Sequence, residues 1–166
     1  MKNRNVRSLK IWETHFSMAK DIKKILIDKI NQSEWWHVPP RDPDAYAKRG
    51  KFLASTYQQA EFYGRPNDIP EKVFISNPLF GFSEKEIIKR LFPDNHAVFH
   101  LKEVENEAEC YQKRIGLDAK MFRKATLLGY DAIVLMTLTG KKELERNRKP
   151  CSIELNLLYA GNPLRG

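Results

Sequence analysis

Five consecutive apolar residues, Ala132-Ile133-Val134-Leu135-Met136, place the tightest limit on what this chain can fold into. The run is too short to span a bilayer. It also lacks the alternation of a strand with one wet face, so it predicts a strand covered on both sides. The residues before it predict a helix from Ala119 to Leu128. Asp118 stands at the N-cap position, Phe122, Ala125 and Leu127 or Leu128 share the inner face, and Gly129 sits at the stop. With 42% hydrophobic residues in 166, the chain has material for one packed core.

The rest of the chain supplies the covering pieces. Leu9 to Trp12 alternate as a strand. Ser17 is placed to cap a helix from Met18 to about Ile30, with Ile22, Ile25, Leu26, Ile27 and Ile30 in its apolar stripe. The lysines beside that stripe, Lys20, Lys23, Lys24 and Lys29, could touch phosphates or a membrane surface, but a solvated face is the plainer reading. Trp35 and Trp36 enter a loop containing Pro39, Pro40 and Pro43; aromatic area that large either packs on the core, the plainer reading, or forms the wall of a ligand cleft. Lys72 to Ser76 reads as a strand that Asn77-Pro78 ends. Ser83 and Glu86 form a capping box before Ile87, Ile88, Leu91 and Phe92. Ala97 to Leu101 is strand-like, and Glu103 to Glu109 reads as exposed helix or loop. Gly140 to Pro150 is a polar stretch. Ser152 to Tyr159 predicts a strand with Ile153, Leu155 and Leu157 on one face and Ser152, Glu154 and Asn156 on the other. Strands and helices mix without a βαβ rhythm, which predicts a single α+β domain over residues 1–166.

Gly50 to Gly64 is the stretch richest in chemistry. Phe52, Leu53 and Ala54 read as a buried strand behind a glycine turn. Ser55 and Thr56 follow, with Gln58 and Gln59 three residues beyond each, the spacing of a capping box. A short helix is expected from there to Gly64. A strand that ends in hydroxyls and runs into a helix N-terminus suits a phosphate. An ordinary strand-to-helix corner has the same pattern and is the plainer reading.

Charge and special residues narrow the classes. The net charge of +8 favours anionic partners. The basic residues Lys141, Lys142, Arg146, Arg148 and Lys149 form the segment most suited to nucleic-acid phosphates. No apolar segment follows the basic N-terminus, so no secretory signal is expected. With no spanning segment either, no membrane partner is expected and the expected location is the cytoplasm. Cys110 and Cys151 read as free thiols. His15, His37, His96 and His100 show no zinc spacing, and no metal is expected.

Glu154 stands between apolar neighbours in the last strand. A carboxylate there must find water or a partner. If its face lines a cleft it is poised for chemistry; if the face meets open solvent it is a surface glutamate. Taken in order, Phe52-Leu53-Ala54-Ser55-Thr56 with Ala60 and Tyr63-Gly64, then Leu128 to Val134, then Ile153-Glu154-Leu155, resemble the ADP-ribosyltransferase fold of toxin-like and poly(ADP-ribose)-polymerase-like enzymes. That resemblance implies a split pair of small antiparallel sheets with flanking helices around an NAD cleft. It implies NAD as substrate, no metal, and a macromolecular acceptor, nucleic acid or protein. It makes Glu154 the catalytic residue and puts Ser55 and Thr56 in the NAD-binding scaffold. Tyr57 or Tyr63 would stack on nicotinamide. The family's first motif offers a histidine or arginine at the end of the first strand. Trp12-Glu13-Thr14 aligns there, and the resemblance leans to His15, one residue later, over Arg7, Trp12 or Thr14. Arginine-modifying members carry Glu or Gln where this chain has Ser152, which speaks against a protein-arginine acceptor. Two alternatives stand beside this reading: a non-catalytic basic nucleic-acid-binding module using the 141–149 segment, and an RNA 2′-phosphotransferase-like enzyme.

Overall fold

A computed structural model describes residues 20–94, 110–149 and 151–159. Its strands are β1 (Trp36–His37), β2 (Lys51–Ala54), β3 (Pro78–Gly81), β4 (Ala132–Met136) and β5 (Ile153–Leu157). Residues 20–32 are helical and are called α1. The other helices are α2 (Ala45–Arg49), α3 (Tyr57–Glu61), α4 (Glu84–Leu91), α5 (Cys110–Leu127) and α6 (Leu138–Glu145). The fold is therefore mixed α+β. Among the described residues no helix is long and apolar enough to cross a membrane.

The strands form one five-stranded sheet in the order β1-β2-β5-β4-β3. β2 and β4 both run antiparallel to β5, while β3 and β4 are parallel. The described strands thus do not make the expected pair of small antiparallel sheets. The cause is the route from β3 to β4, which passes through α4 and α5 on one face. A helical crossover returns the chain to the sheet in the same direction.

Each face of the sheet has its own core. On one side Leu53, Ala132, Val134, Met136, Ile153, Leu155 and Leu157 pack against Leu26, Ile30, Trp35, Val73, Ile75 and Leu144. On the other, Leu79 and Ile133 meet Ile87, Ile88 and Leu91 of α4 and Leu117, Met121 and Ala125 of α5. β4 feeds both cores, as its unbroken apolar run requires.

Local differences from the sequence reading have physical reasons. Residues 72–76 are not a strand, although Val73 and Ile75 are buried and Phe74 between them is exposed. The Asn31 side chain takes the place of a neighbouring strand: Ile75 N–H donates to its Oδ1 (2.8 Å) and its Nδ2 donates to the Ile75 carbonyl (2.9 Å). Pro78 begins β3 instead of ending a strand. It is the first residue of an edge strand, where a missing N–H is tolerated. Asp118 lies inside α5 rather than capping it, because the stripe of Leu117, Met121 and Ala125 continues the helix across it. Leu127 and Leu128 are exposed, and Gly129 turns the chain with φ +88. The polar stretch from Gly140 is helical as far as Glu145, because the Thr137 hydroxyl caps α6 by accepting from Gly140 N–H (3.0 Å). The expected strands at Leu9–Trp12 and Ala97–Leu101, and the segment Glu103–Glu109, lie outside the described residues. So do His96 and His100.

His37 is 4% exposed on β1. Its Nδ1 lies 2.7 Å from the Phe52 carbonyl and its Nε2 2.7 Å from the Tyr46 hydroxyl. The carbonyl can only accept, so Nδ1 carries the proton and the Tyr46 hydroxyl donates to Nε2. Burial lowers the His37 pKa, against the opposing pull of the Phe52 carbonyl; nearby Lys51 adds to the lowering and Glu71 resists it. The sign follows by linkage. Above the ordinary histidine value of about 6.5 neither state binds the proton, and stability is full. As pH falls below it, the unfolded chain takes up a proton that the native site resists. Stability is therefore expected to fall from about pH 6.5 downward, with a slope of at most one proton. Thermal melting between pH 7.5 and 5 should show this slope in the wild type and a shallower one in His37→Gln. Equal slopes would remove His37 as its source.

Candidate active site

β2, β3 and β4 all end at the same end of the sheet, and each is followed there by a helix with a hydroxyl cap. Thr56 accepts from Gln59 N–H (3.1 Å), Ser83 from Glu86 N–H (3.1 Å) and Thr137 from Gly140 N–H (3.0 Å). Glu154, next to the N-terminal residue of β5, lies at this end, paired in register with Ala54 and Leu135.

The corner between β2 and α3 is closed by its own residues. Ser55 is buried. Its backbone N–H donates to the Ile153 carbonyl (3.0 Å), and its Oγ accepts from Ile153 N–H (3.1 Å) while donating to Gln59 Oε1 (2.8 Å). Of the two capping pairs anticipated, Thr56 with Gln59 forms, and Gln58 is exposed. Both hydroxyls thus serve the scaffold: they start α3 and lock the end of β2 onto the start of β5, one residue from Glu154.

Glu154 is half-buried, and its Oε1 accepts a 2.7 Å hydrogen bond from the Tyr63 hydroxyl. These residues are far apart in the chain, and the turn after α3 brings them together. Ala60 is buried, Tyr63 N–H donates to its carbonyl (3.0 Å), and Gly64 follows at φ +149. A Cβ at Gly64 would lie 2.8 Å from Val38 Cγ1, so any other residue there would strain the backbone and push Val38 aside. Tyr63 as a whole is 68% exposed, yet its phenol is pushed up to about 12, by partial loss of solvent around the hydroxyl first and then by the Glu154 carboxylate that accepts its proton.

Beside this pair lies an ionic cluster. Arg114 donates to Glu84 Oε1 (2.7 Å) and pairs with Asp118 Oδ1 (3.3 Å) one helical turn on. Burial raises the Asp118 pKa, and Arg114 counters it. Arg114 and Glu84 also act electrostatically on Tyr63, so the cluster and the Tyr63–Glu154 pair share one neighbourhood. The sequence reading missed this group. Its signal was the four-residue spacing of Arg114 and Asp118, hidden when Asp118 was read as a cap.

The other anticipated residues are dispersed. Tyr57 packs edge-on against Trp36, ring centroids 5.1 Å apart. Ser152 Oγ is 2.6 Å from Thr137 Oγ1. Asn156 is buried, with its Nδ2 donating to the Arg49 carbonyl (2.9 Å), and braces α2 rather than lining a cleft. Lys141 pairs with Glu145 (3.7 Å) and lies over the Phe82 ring, while Lys142, Arg146, Arg148 and Lys149 are exposed. His15, Arg7, Trp12 and Thr14 lie outside the described residues. No family model, no curated protein and no solved structure matches the chain.

Proposed function

We propose that the protein is an NAD-dependent ADP-ribosyltransferase, moving ADP-ribose from NAD to a macromolecular acceptor and releasing nicotinamide. One observation carries the reading: Glu154 is a half-buried carboxylate fixed by a 2.7 Å hydrogen bond, at the sheet end where β2, β3 and β4 finish. Breaking the bond between ribose and nicotinamide develops positive charge on the sugar. A carboxylate already oriented toward that charge stabilises it without having to reorganise. The sequence resemblance from Phe52 to Leu155 runs through the same residues.

The experiment is to incubate the pure protein with NAD labelled in its adenylate half and with cell extract. The expected result is label fixed on protein or nucleic acid together with released nicotinamide. NAD alone is also expected to raise the melting temperature, since a ligand that binds only the native state stabilises it. No transfer, with no shift by NAD but a shift by nucleic acid, would replace this reading with a binding module using Lys142, Arg146, Arg148 and Lys149.

A further inference from the structure

We propose that Tyr63 is the positioning residue of this site: its hydroxyl holds Oε1 of Glu154 so that Oε2 is presented to a ribose hydroxyl of NAD. The inference rests on the ADP-ribosyltransferase reading of Glu154. A glutamate side chain rotates about three bonds, and a charge stabilises a transition state only when it is already aimed. β5 fixes the backbone of Glu154 but not its carboxylate. Among the described residues, the hydrogen bond that does so is the 2.7 Å bond from Tyr63. A carboxylate has acceptor sites on both oxygens, so holding one leaves the other open.

Tyr63 is suited to the task by its own anchoring. Thr56 starts α3, buried Ala60 pins it, the Tyr63 amide closes on the Ala60 carbonyl, and the Gly64 backbone passes against Val38. The same corner is tied to β5 through Ser55 and Ile153. The backbones that carry donor and acceptor are thus tied together, while the Tyr63 ring is 68% exposed and is held at its hydroxyl by Glu154. The phenol keeps its proton across the neutral range, so Tyr63 donates throughout and does not act as a base. The role differs from stacking on nicotinamide, which needs only the ring.

Two measurements test this. In the first, protein labelled with ¹³C at the tyrosine Cζ is titrated by NMR, with Tyr63→Phe assigning the signal. Tyr63 should titrate at lower pH in Glu154→Gln than in the wild type, because the charge holding its proton is gone. Identical titrations would overturn the proposal whatever the enzyme does. In the second, Tyr63→Phe should lower kcat by about tenfold to a hundredfold, the scale of a hydrogen bond to a charged group, with KM for NAD and melting temperature unchanged. If Tyr63→Phe is fully active while Tyr63→Leu raises KM, the ring stacks and the positioning role is wrong. If wild-type protein transfers nothing, the reaction falls and the role with it, while the titration still reports whether the bond exists.

Discussion

Glutamine in place of Glu154 is expected to lower ADP-ribose transfer by on the order of a hundredfold or more, the loss seen when one preorganised electrostatic contact is removed. That is roughly 2.7 kcal/mol of transition-state stabilisation. The substitution keeps side-chain size and leaves an amide oxygen to accept the Tyr63 hydroxyl, so the only large change is the charge. Folding should move by less than about half a kcal/mol, because Glu154 is half-buried and belongs to neither apolar core. NAD binding should fall much less than turnover, since the charge that Glu154 offsets develops only as the glycosidic bond breaks. Melting temperature, NAD affinity and turnover measured on one preparation separate these effects. A stable, fully active variant would remove Glu154 from the reaction. A variant that fails to fold would make it a structural residue.

Glu154 was legible in the sequence because alternation in β5 is strict: an acid between Ile153 and Leu155 must point away from the core they share. What it would meet was not legible. Tyr63 reaches it only through the turn that Gly64 permits, a contact across 91 positions with no local signature. The β2–α3 corner was read from its hydroxyls and glutamines, and the bonds there are those of a scaffold. The sheet was harder. Pro78 was read as a stop because proline cannot donate to a ladder, yet at the first residue of an edge strand it has no ladder bond to lose. The stretch around Val73 and Ile75 has a strand's pattern of burial but bonds a side chain, Asn31, that no strand pattern reveals. Asn156 illustrates the same limit. It shares a face with Glu154, yet α2 covers one and Tyr63 bonds the other. A Cβ on Gly50 would lie 2.1 Å from the Asn156 Oδ1, so the glycine turn before β2 is required by tertiary contact as well as by its φ of +85.

The adjacent tryptophans give the largest expected effect on stability. Their sequence says that one or both must be buried, and the period of β1 decides which. Trp35 is fully buried, while Trp36 is part-exposed and contacts Tyr57 at its edge. Trp35 joins two pieces that do not adjoin each other in the chain, α1 and the 71–75 segment. Its ring packs with Leu26 and Ile30 of α1 and with Val73 and Ile75, its Nε1 donates to the Ile30 carbonyl (3.0 Å), and its backbone exchanges two bonds with Glu71. Trp35→Ala would leave a cavity between sheet and helix in a core cluster of buried residues. The expected loss is about 3–5 kcal/mol, a large part of the roughly 5–15 kcal/mol that holds a domain folded. For a chain of this size that is a fall of about 10 °C in melting temperature. Trp35→Phe should cost only about 1–2 kcal/mol, because most of the ring remains and the Ile30 carbonyl keeps its bond from Ser33 N–H. Trp36→Ala should cost less than Trp35→Ala, since part of its surface already meets water. Urea unfolding of the three variants orders them. A Trp36→Ala protein as unstable as Trp35→Ala would show that the edge of the sheet, rather than the helix packed on its face, holds this half of the fold together.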